Sequence, residues 1–259
     1  MVTIEKLVEE YIELKRGLTE RIKSRPESVS DSLFLNLWFC ERSFAVKELK
    51  EKNINHAKLA FCNCAFIDEY CLKTYNARFF DYGLHHISYA VLSDNEPLIQ
   101  RYSQLRYQRG KNAELSMDEM VAIGELPIWC NTVQFFMAND NDGVESNLNI
   151  IETMSLPNLP KKEEGMKDDY EFYKALLAGN KAKIEEMLER LVSPKIHKKR
   201  NDSPILSQYV SLPALGYAKL AWRKGIEVEV NSPLIPKELL PIQPLDKYEI
   251  PYDFLKECI

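Results

Sequence analysis

The chain has 259 residues, 45% of them hydrophobic and 28% charged, which is the composition of a soluble globular protein with its own hydrophobic core. Nine glycines argue against a loop-rich or collagen-like chain. The net charge of −5 argues against general affinity for nucleic acid or anionic lipid, so we expect neither nucleic acid nor a membrane as a direct partner.

The N-terminus and the cysteines predict a cytoplasmic protein. The first ten residues are amphipathic and acidic, unlike the apolar run of a secretory signal. No stretch approaches the roughly 18 apolar residues that a membrane span needs. The six cysteines include no Cys-x-x-Cys pair, and most lie in apolar helical patterns, where a reduced cysteine packs as a small hydrophobe.

Apolar residues at spacings of three and four predict helices through the first half of the chain. The predicted helices cover residues 4–22, 32–50, 53–75, 79–93 and 97–108. The helix over 53–75 is apolar on two faces, so we expect it to lie between neighbouring helices at the centre of the N-terminal half.

Helix signals continue through the second half, with two interruptions. The capping-box spacing of Ser116 and Glu119 begins one helix, Pro127 breaks or restarts it, and helices follow over 127–139 and to about 154. Polar segments 155–168 and 193–204 are predicted loops, and a last helix covers about 205–224 before the cap Gly225. Residues 226–230 alternate as a short strand or an extended segment would, and the prolines beyond them indicate an extended tail.

Three segments share one pattern: an apolar helix, a short polar turn and a second amphipathic helix. They are His85–Leu105, Ile128–Met154 and Tyr170–Leu191. Their turns recur about every 40 to 46 residues, the range of antiparallel helix-pair repeats. We therefore predict an all-α fold, an irregular stack of antiparallel helical hairpins of TPR/HEAT-like repeat character. It would form a single domain with N-terminal helices over 1–110, hairpins over 111–225 and a Pro-rich extended tail over 226–259 packed on the helices.

No motif indicates catalysis or a cofactor. The chain contains no Gly-x-Gly-x-x-Gly, no phosphate-binding loop and no Gly-x-Ser-x-Gly elbow. Asp81 and His85 lie one helical turn apart and, with Asp68 and His86, allow a metal-site hypothesis. The alternative is that Asp81 and His85 make a helix-surface contact and that Asp68 satisfies a buried donor. The basic run 195–200 allows a phosphate contact, but such a run is more typical of an exposed loop.

The most unusual feature is a segment without positive charge. Residues 112–160 contain no Lys or Arg, and their eight carboxylates give a charge of −8. If its helices share a face, they form a negative surface that attracts a basic partner; the alternative is a solvated acidic face without a partner. Trp129 is a candidate anchor, although its spacing is also typical of core residues. The predicted partner-binding residues are Glu114, Asp118, Glu119, Glu125, Trp129, Asp140, Asp142, Glu145 and Glu152.

The C-terminal third of the chain resembles a known family. In chain order it contains YEFYKALLAGN at 170–180, then Ile184, Leu188 and Leu191, then AKLAWRKGIEV at 218–228 and SPLIPKELL at 232–240. That succession is similar to the immunity protein 49 family of bacterial polymorphic toxin systems. The resemblance implies a mostly helical cytoplasmic protein that protects a bacterium from a toxin delivered by kin or made by itself. It implies no catalytic residues to carry over, and we expect no metal and no cofactor.

The leading hypothesis is a non-catalytic immunity protein that binds its cognate toxin and blocks it stoichiometrically. A toxin that acts on nucleic acid would have a positive groove, which would suit the acidic segment 112–160. The first alternative is a helical-repeat adaptor or scaffold for an endogenous protein. The second is a metal-dependent helical hydrolase built on Asp68, Asp81, His85 and His86.

Overall fold

A computed structural model describes residues 3–24, 30–77, 84–108 and 115–256, apart from the side chains of 84–87 and 162. These residues form helices and contain no β-strand, which confirms the all-α prediction. No described helix is both long and apolar enough to cross a membrane. The α-helices are α1 (Ile4–Ser24), α2 (Asp31–Lys50), α3 (Ile54–Tyr75), α4 (Leu84–Leu92), α5 (Glu96–Ser103), α6 (Met117–Ala122), α7 (Pro127–Ala138), α8 (Asn141–Ile150), α9 (Met166–Leu177), α10 (Lys181–Leu191), α11 (Pro194–Arg200), α12 (Leu212–Arg223) and α13 (Asp253–Lys256).

Several predicted boundaries were wrong. Helix α5 ends at Ser103 rather than at 108, whereas the helix expected to run to about 154 does reach that point, as α8 followed directly by a π-helical turn, Ile151–Ser155. The loop predicted over 193–204 contains α11, because Pro194 occupies its first turn and basic residues fill its last turn. The last long helix begins at Leu212, since Pro213 is tolerated only in a first turn. Residues 79–83 of the predicted 79–93 helix lie outside the described residues.

Helix α3 lies at the centre of the N-terminal half, as predicted. It packs against α2, α4 and α5. Its cysteines are buried, and so is Asn63, which donates to the buried carboxylate of Glu41 on α2 at 2.9 Å. Glu41 also accepts from Lys15 on α1 and from Tyr252 near the C-terminus. One carboxylate therefore ties together four parts of the chain.

The three predicted hairpin turns share one backbone geometry. Each begins with a residue in the left-handed region, at φ 57°, 58° and 66° for Asp94, Asn139 and Gly179. The next residue, Asn95, Asp140 or Asn180, caps the second helix by accepting from the backbone N–H three residues on, at 2.9 to 3.2 Å. The pairs α4–α5, α7–α8 and α9–α10 are thus built on a common turn, which supports the helix-pair pattern.

The tail after Gly225 packs back onto the helices. Residues 226–230 form no strand, but their burial alternates, with Val228 and Val230 inside. The Trp222 indole donates to the Val228 carbonyl at 3.2 Å. Further on, the carbonyls of Leu239 and Pro241 each accept from the buried Lys219 ammonium at 2.8 Å. These contacts hold the tail against α12.

Candidate functional site

The structure exposes most of the predicted partner-binding residues. Glu114 lies outside the described residues. The seven other carboxylates are exposed on α6, on the turn before α7, on α8 with its cap and on the π-helical turn; they are Asp118, Glu119, Glu125, Asp140, Asp142, Glu145 and Glu152. Exposure alone does not show that these carboxylates form one continuous surface. The hydrogen bonds and ion pairs of each carboxylate show whether it has a role within the fold.

Three of these carboxylates have roles within the fold. Asp118 accepts from Arg106 at 2.9 Å, so a cation from outside the acidic segment offsets its charge. Glu119 accepts from the backbone N–H of Ser116 at 2.8 Å and completes the predicted capping box. Asp140 caps α8 through the Gly143 N–H. Part of the acidic segment therefore stabilises helix ends.

The remaining carboxylates form no ion pair within the described part of the chain; they are Glu125, Asp142, Glu145 and Glu152. Lys224 lies close to the start of α8, where its ammonium donates to the side-chain oxygens of Asn139 and Asn141 at 3.2 and 3.4 Å. Burial and the neighbouring carboxylate of Glu152 raise the pKa of Tyr170 to about 12. Glu152 therefore lies beside the Tyr170 hydroxyl.

Trp129 does not belong to this surface. Its side chain is only 3% exposed, and its ring packs against Tyr173 with centroids 6.3 Å apart. Its carbonyl accepts from the Tyr173 hydroxyl at 3.3 Å. Phe135 is partly buried against the same core. The prediction of Trp129 as an interface anchor is therefore corrected: apolar residues of α7 face inward, between α5 and α8.

An exposed apolar patch lies within the acidic segment, and sequence reasoning missed it. Ile123, Leu126 and Met154 are 50%, 49% and 40% exposed. The first two flank the turn at Gly124, and Met154 lies directly against that turn from the π-helical segment. The sequence signal was the presence of an apolar residue on each side of Gly124-Glu125, because residues at a turn are normally polar.

Among the described residues, no three His, Cys, Asp or Glu side chains come together in a group that could hold a metal ion. Asp68 is buried and accepts from the Tyr102 hydroxyl at 2.8 Å, which agrees with the alternative that it satisfies a buried donor. Asp81 and the side chains of His85 and His86 lie outside the described part, so a metal site there stays a hypothesis.

The basic run 195–200 is a helix rather than an exposed loop, and it borders a cleft of about 530 Å³. Arg200 turns inward and donates to both carboxylate oxygens of Asp169 at 2.6 and 2.7 Å. Tyr217 donates to the same carboxylate. Acidic side chains, among them Glu164 and Asp168, line the cleft beside the lysines. This mixed lining gives no purely positive surface.

Sequence comparison assigns the family. The immunity protein 49 family model matches residues 40–239, which is most of the chain and extends well beyond the resemblance in the C-terminal third. The chain belongs to the immunity protein 49 family. Comparison with curated proteins and with solved structures gives no match. The family region begins at Cys40 on α2 and ends at Leu239, so it includes the acidic segment, the apolar patch and the three capped hairpin turns.

Proposed function

We propose that this chain is an immunity protein that binds a cognate bacterial toxin in the cytoplasm and neutralises it by stoichiometric protein–protein inhibition. The observation that carries the proposal is the immunity protein 49 family match over residues 40–239. Inhibition of this kind needs a stable complementary surface and no catalytic residue, metal or cofactor.

The surface that supports this function best is the acidic segment. Four of its exposed carboxylates form no ion pair among the described residues; they are Glu125, Asp142, Glu145 and Glu152. Such charges accelerate association with a positively charged partner and select it over neutral or acidic proteins. A toxin with a basic substrate groove would therefore be steered to this side of the chain, which would cover the groove and exclude the substrate.

The experiment is protection in cells. Each candidate toxin domain encoded in the source genome is expressed from an inducible promoter, with and without this chain. We expect one of these toxins to stop growth when expressed alone and to be harmless when the chain is co-expressed. If the chain rescues growth from none of them and only a harmless endogenous protein co-purifies with it, the adaptor hypothesis is favoured instead.

Charge reversal tests the acidic surface separately. The Asp142→Lys/Glu145→Lys/Glu152→Lys variant should associate with the toxin at least several-fold more slowly at low salt, because the steering field is reversed. The difference should shrink at high salt, since exposed charges are screened there. Glu185→Lys/Glu186→Lys/Glu189→Lys on α10 is a control with the same change in net charge. Equal association rates for the two variants would remove the acidic segment as the steering surface.

A further inference from the structure

We propose that the apolar patch formed by Ile123, Leu126 and Met154 is the anchor of the toxin-binding surface. The partner that fits it is a protein that presents apolar side chains bordered by Lys or Arg. The proposal rests on the function proposed above and specifies where its binding energy is concentrated.

The patch is assembled by one close backbone approach. Gly124 adopts φ +75°, and a Cβ at this position would lie 2.9 Å from Ser155 Oγ and 3.0 Å from Met154 Cβ. The Ser155 hydroxyl donates to the Gly124 carbonyl at 2.7 Å. Glycine at 124 thus lets the π-helical turn contact the α6–α7 turn, and this contact places Met154 beside the apolar residues that flank Gly124.

Hydrogen bonds within the fold fix the backbone that carries the patch, so little of that backbone would have to be ordered when a partner binds. Glu125 N–H donates to the Met120 carbonyl at 3.0 Å and Gly124 N–H to the Val121 carbonyl at 3.0 Å, which fixes the end of α6. The capping box fixes its start. Preorganised apolar groups lose less conformational entropy when a partner covers them, and they suit the centre of an interface.

The exposure of the three residues is unusual because all three lie at one turn: Ile123 and Leu126 flank Gly124-Glu125, and Met154 lies against Gly124. A single exposed apolar residue is ordinary in a soluble protein, whereas neighbouring ones mark interaction sites. Other large exposed apolar side chains lie elsewhere, for example Ile12, which is 53% exposed on α1. Ile12 therefore offers a matched control of the same chemistry and exposure.

The charge around the patch identifies its occupant. Glu125 lies between Ile123 and Leu126 in the chain and is exposed, and the segment 112–160 that carries the patch contains no Lys or Arg. Two cations that contact this segment from outside it already have partners: Arg106 donates to Asp118, and Lys224 donates to Asn139 before α8. A second copy of this chain would bring the same carboxylates face to face, and an anionic lipid surface would be repelled. A basic protein surface is complementary to both the apolar and the acidic groups.

The test measures binding of the toxin that the wild-type chain neutralises, purified in an active-site-inactivated form. Ile123→Ser/Leu126→Ser should raise the dissociation constant at least tenfold, mainly through faster dissociation. Ile12→Ser should leave it unchanged. Equal melting temperatures of the two variants and the wild type serve as the check on folding, because all the substituted side chains are about half exposed.

Three outcomes overturn the proposal, and they are distinguishable. If the double variant binds the toxin as tightly as the wild type, the patch is not the anchor, while the immunity function stands. If the wild-type chain neutralises no toxin, the proposed function fails and this proposal falls with it. If the wild-type chain sediments as a dimer and the double variant as a monomer, the patch joins two copies of the chain.

Discussion

Asp94 is the position at which a single substitution should cost the most stability. Its carboxylate is fully buried in the α4–α5 turn and lies 2.8 Å from the ammonium groups of both Lys58 and Lys219, which are also buried. It also accepts a hydrogen bond from the Gln243 N–H at 3.2 Å. The cluster of Asp94, Lys58 and Lys219 thus joins α3, α12 and the C-terminal tail to one turn.

The substitution Asp94→Asn removes the negative charge and keeps the shape. Asparagine tolerates the left-handed backbone at φ 57°, so the change adds no backbone strain. Two buried ammonium groups then lose their counter-ion and retain only carbonyl acceptors, such as those of Leu239, Pro241 and Gln243. Removing one partner of a buried ion pair typically costs about 3–5 kcal/mol, and we expect the loss here to lie at the upper end because one carboxylate serves two cations.

Urea unfolding at pH 7, followed by circular dichroism, measures this loss. Asp142→Asn is the control, since this exposed carboxylate forms no ion pair among the described residues, and its effect should stay within about 0.5 kcal/mol. Adding Lys219→Met to Asp94→Asn should cost much less than the sum of the two single changes, because the two groups interact directly. A loss below about 1 kcal/mol for Asp94→Asn would refute the electrostatic account of this cluster.

Three further predictions concern packing, capping and the thiols. Gly216→Ala should destabilise the chain by about 1–3 kcal/mol, because the new Cβ would overlap the side chain of Ser88 on α4. Gly17→Ala, where the new Cβ would meet nothing within 4 Å, should instead stabilise α1 by up to about 1 kcal/mol. Thermal melts of both variants measure the difference, and equal effects would contradict the packing argument. Asn180→Ala should cost about 1 kcal/mol in urea unfolding, and no loss would mean that the cap does not stabilise α10. Burial raises the pKa of the Cys62 thiol to about 12. The buried thiols should therefore react with a thiol reagent only after unfolding; they are Cys40, Cys62, Cys64, Cys71 and Cys130. Reaction of these thiols at the same rate in the folded and the unfolded chain would contradict their burial.

The elements that the sequence predicted well are those set by local chemistry. The apolar faces of α3 specify its central position, and the Asx caps of α5, α8 and α10 mark the hairpin turns without any knowledge of the tertiary fold. The start of α6 follows from Ser116 and Glu119 alone.

What the sequence did not predict depends on contacts between distant residues. The run 195–200 looked like a solvated loop because its partner, Asp169, is 31 residues from Arg200. Asp94 looked like an ordinary turn residue, although Lys219 is 125 residues away along the chain. The position of Met154 beside the Gly124 turn could not be inferred either, because it depends on the contact of the π-helical turn with Gly124.

The most direct test of the central claim is a titration of the cognate toxin's activity with the purified chain, at a toxin concentration far above the dissociation constant. Stoichiometric inhibition predicts a linear fall in activity that reaches zero at one equivalent of the chain, with full activity recovered when the complex is separated. Loss of activity at a small fraction of an equivalent, or inactivation that persists after separation, would contradict binding as the mechanism and would indicate catalysis by this chain.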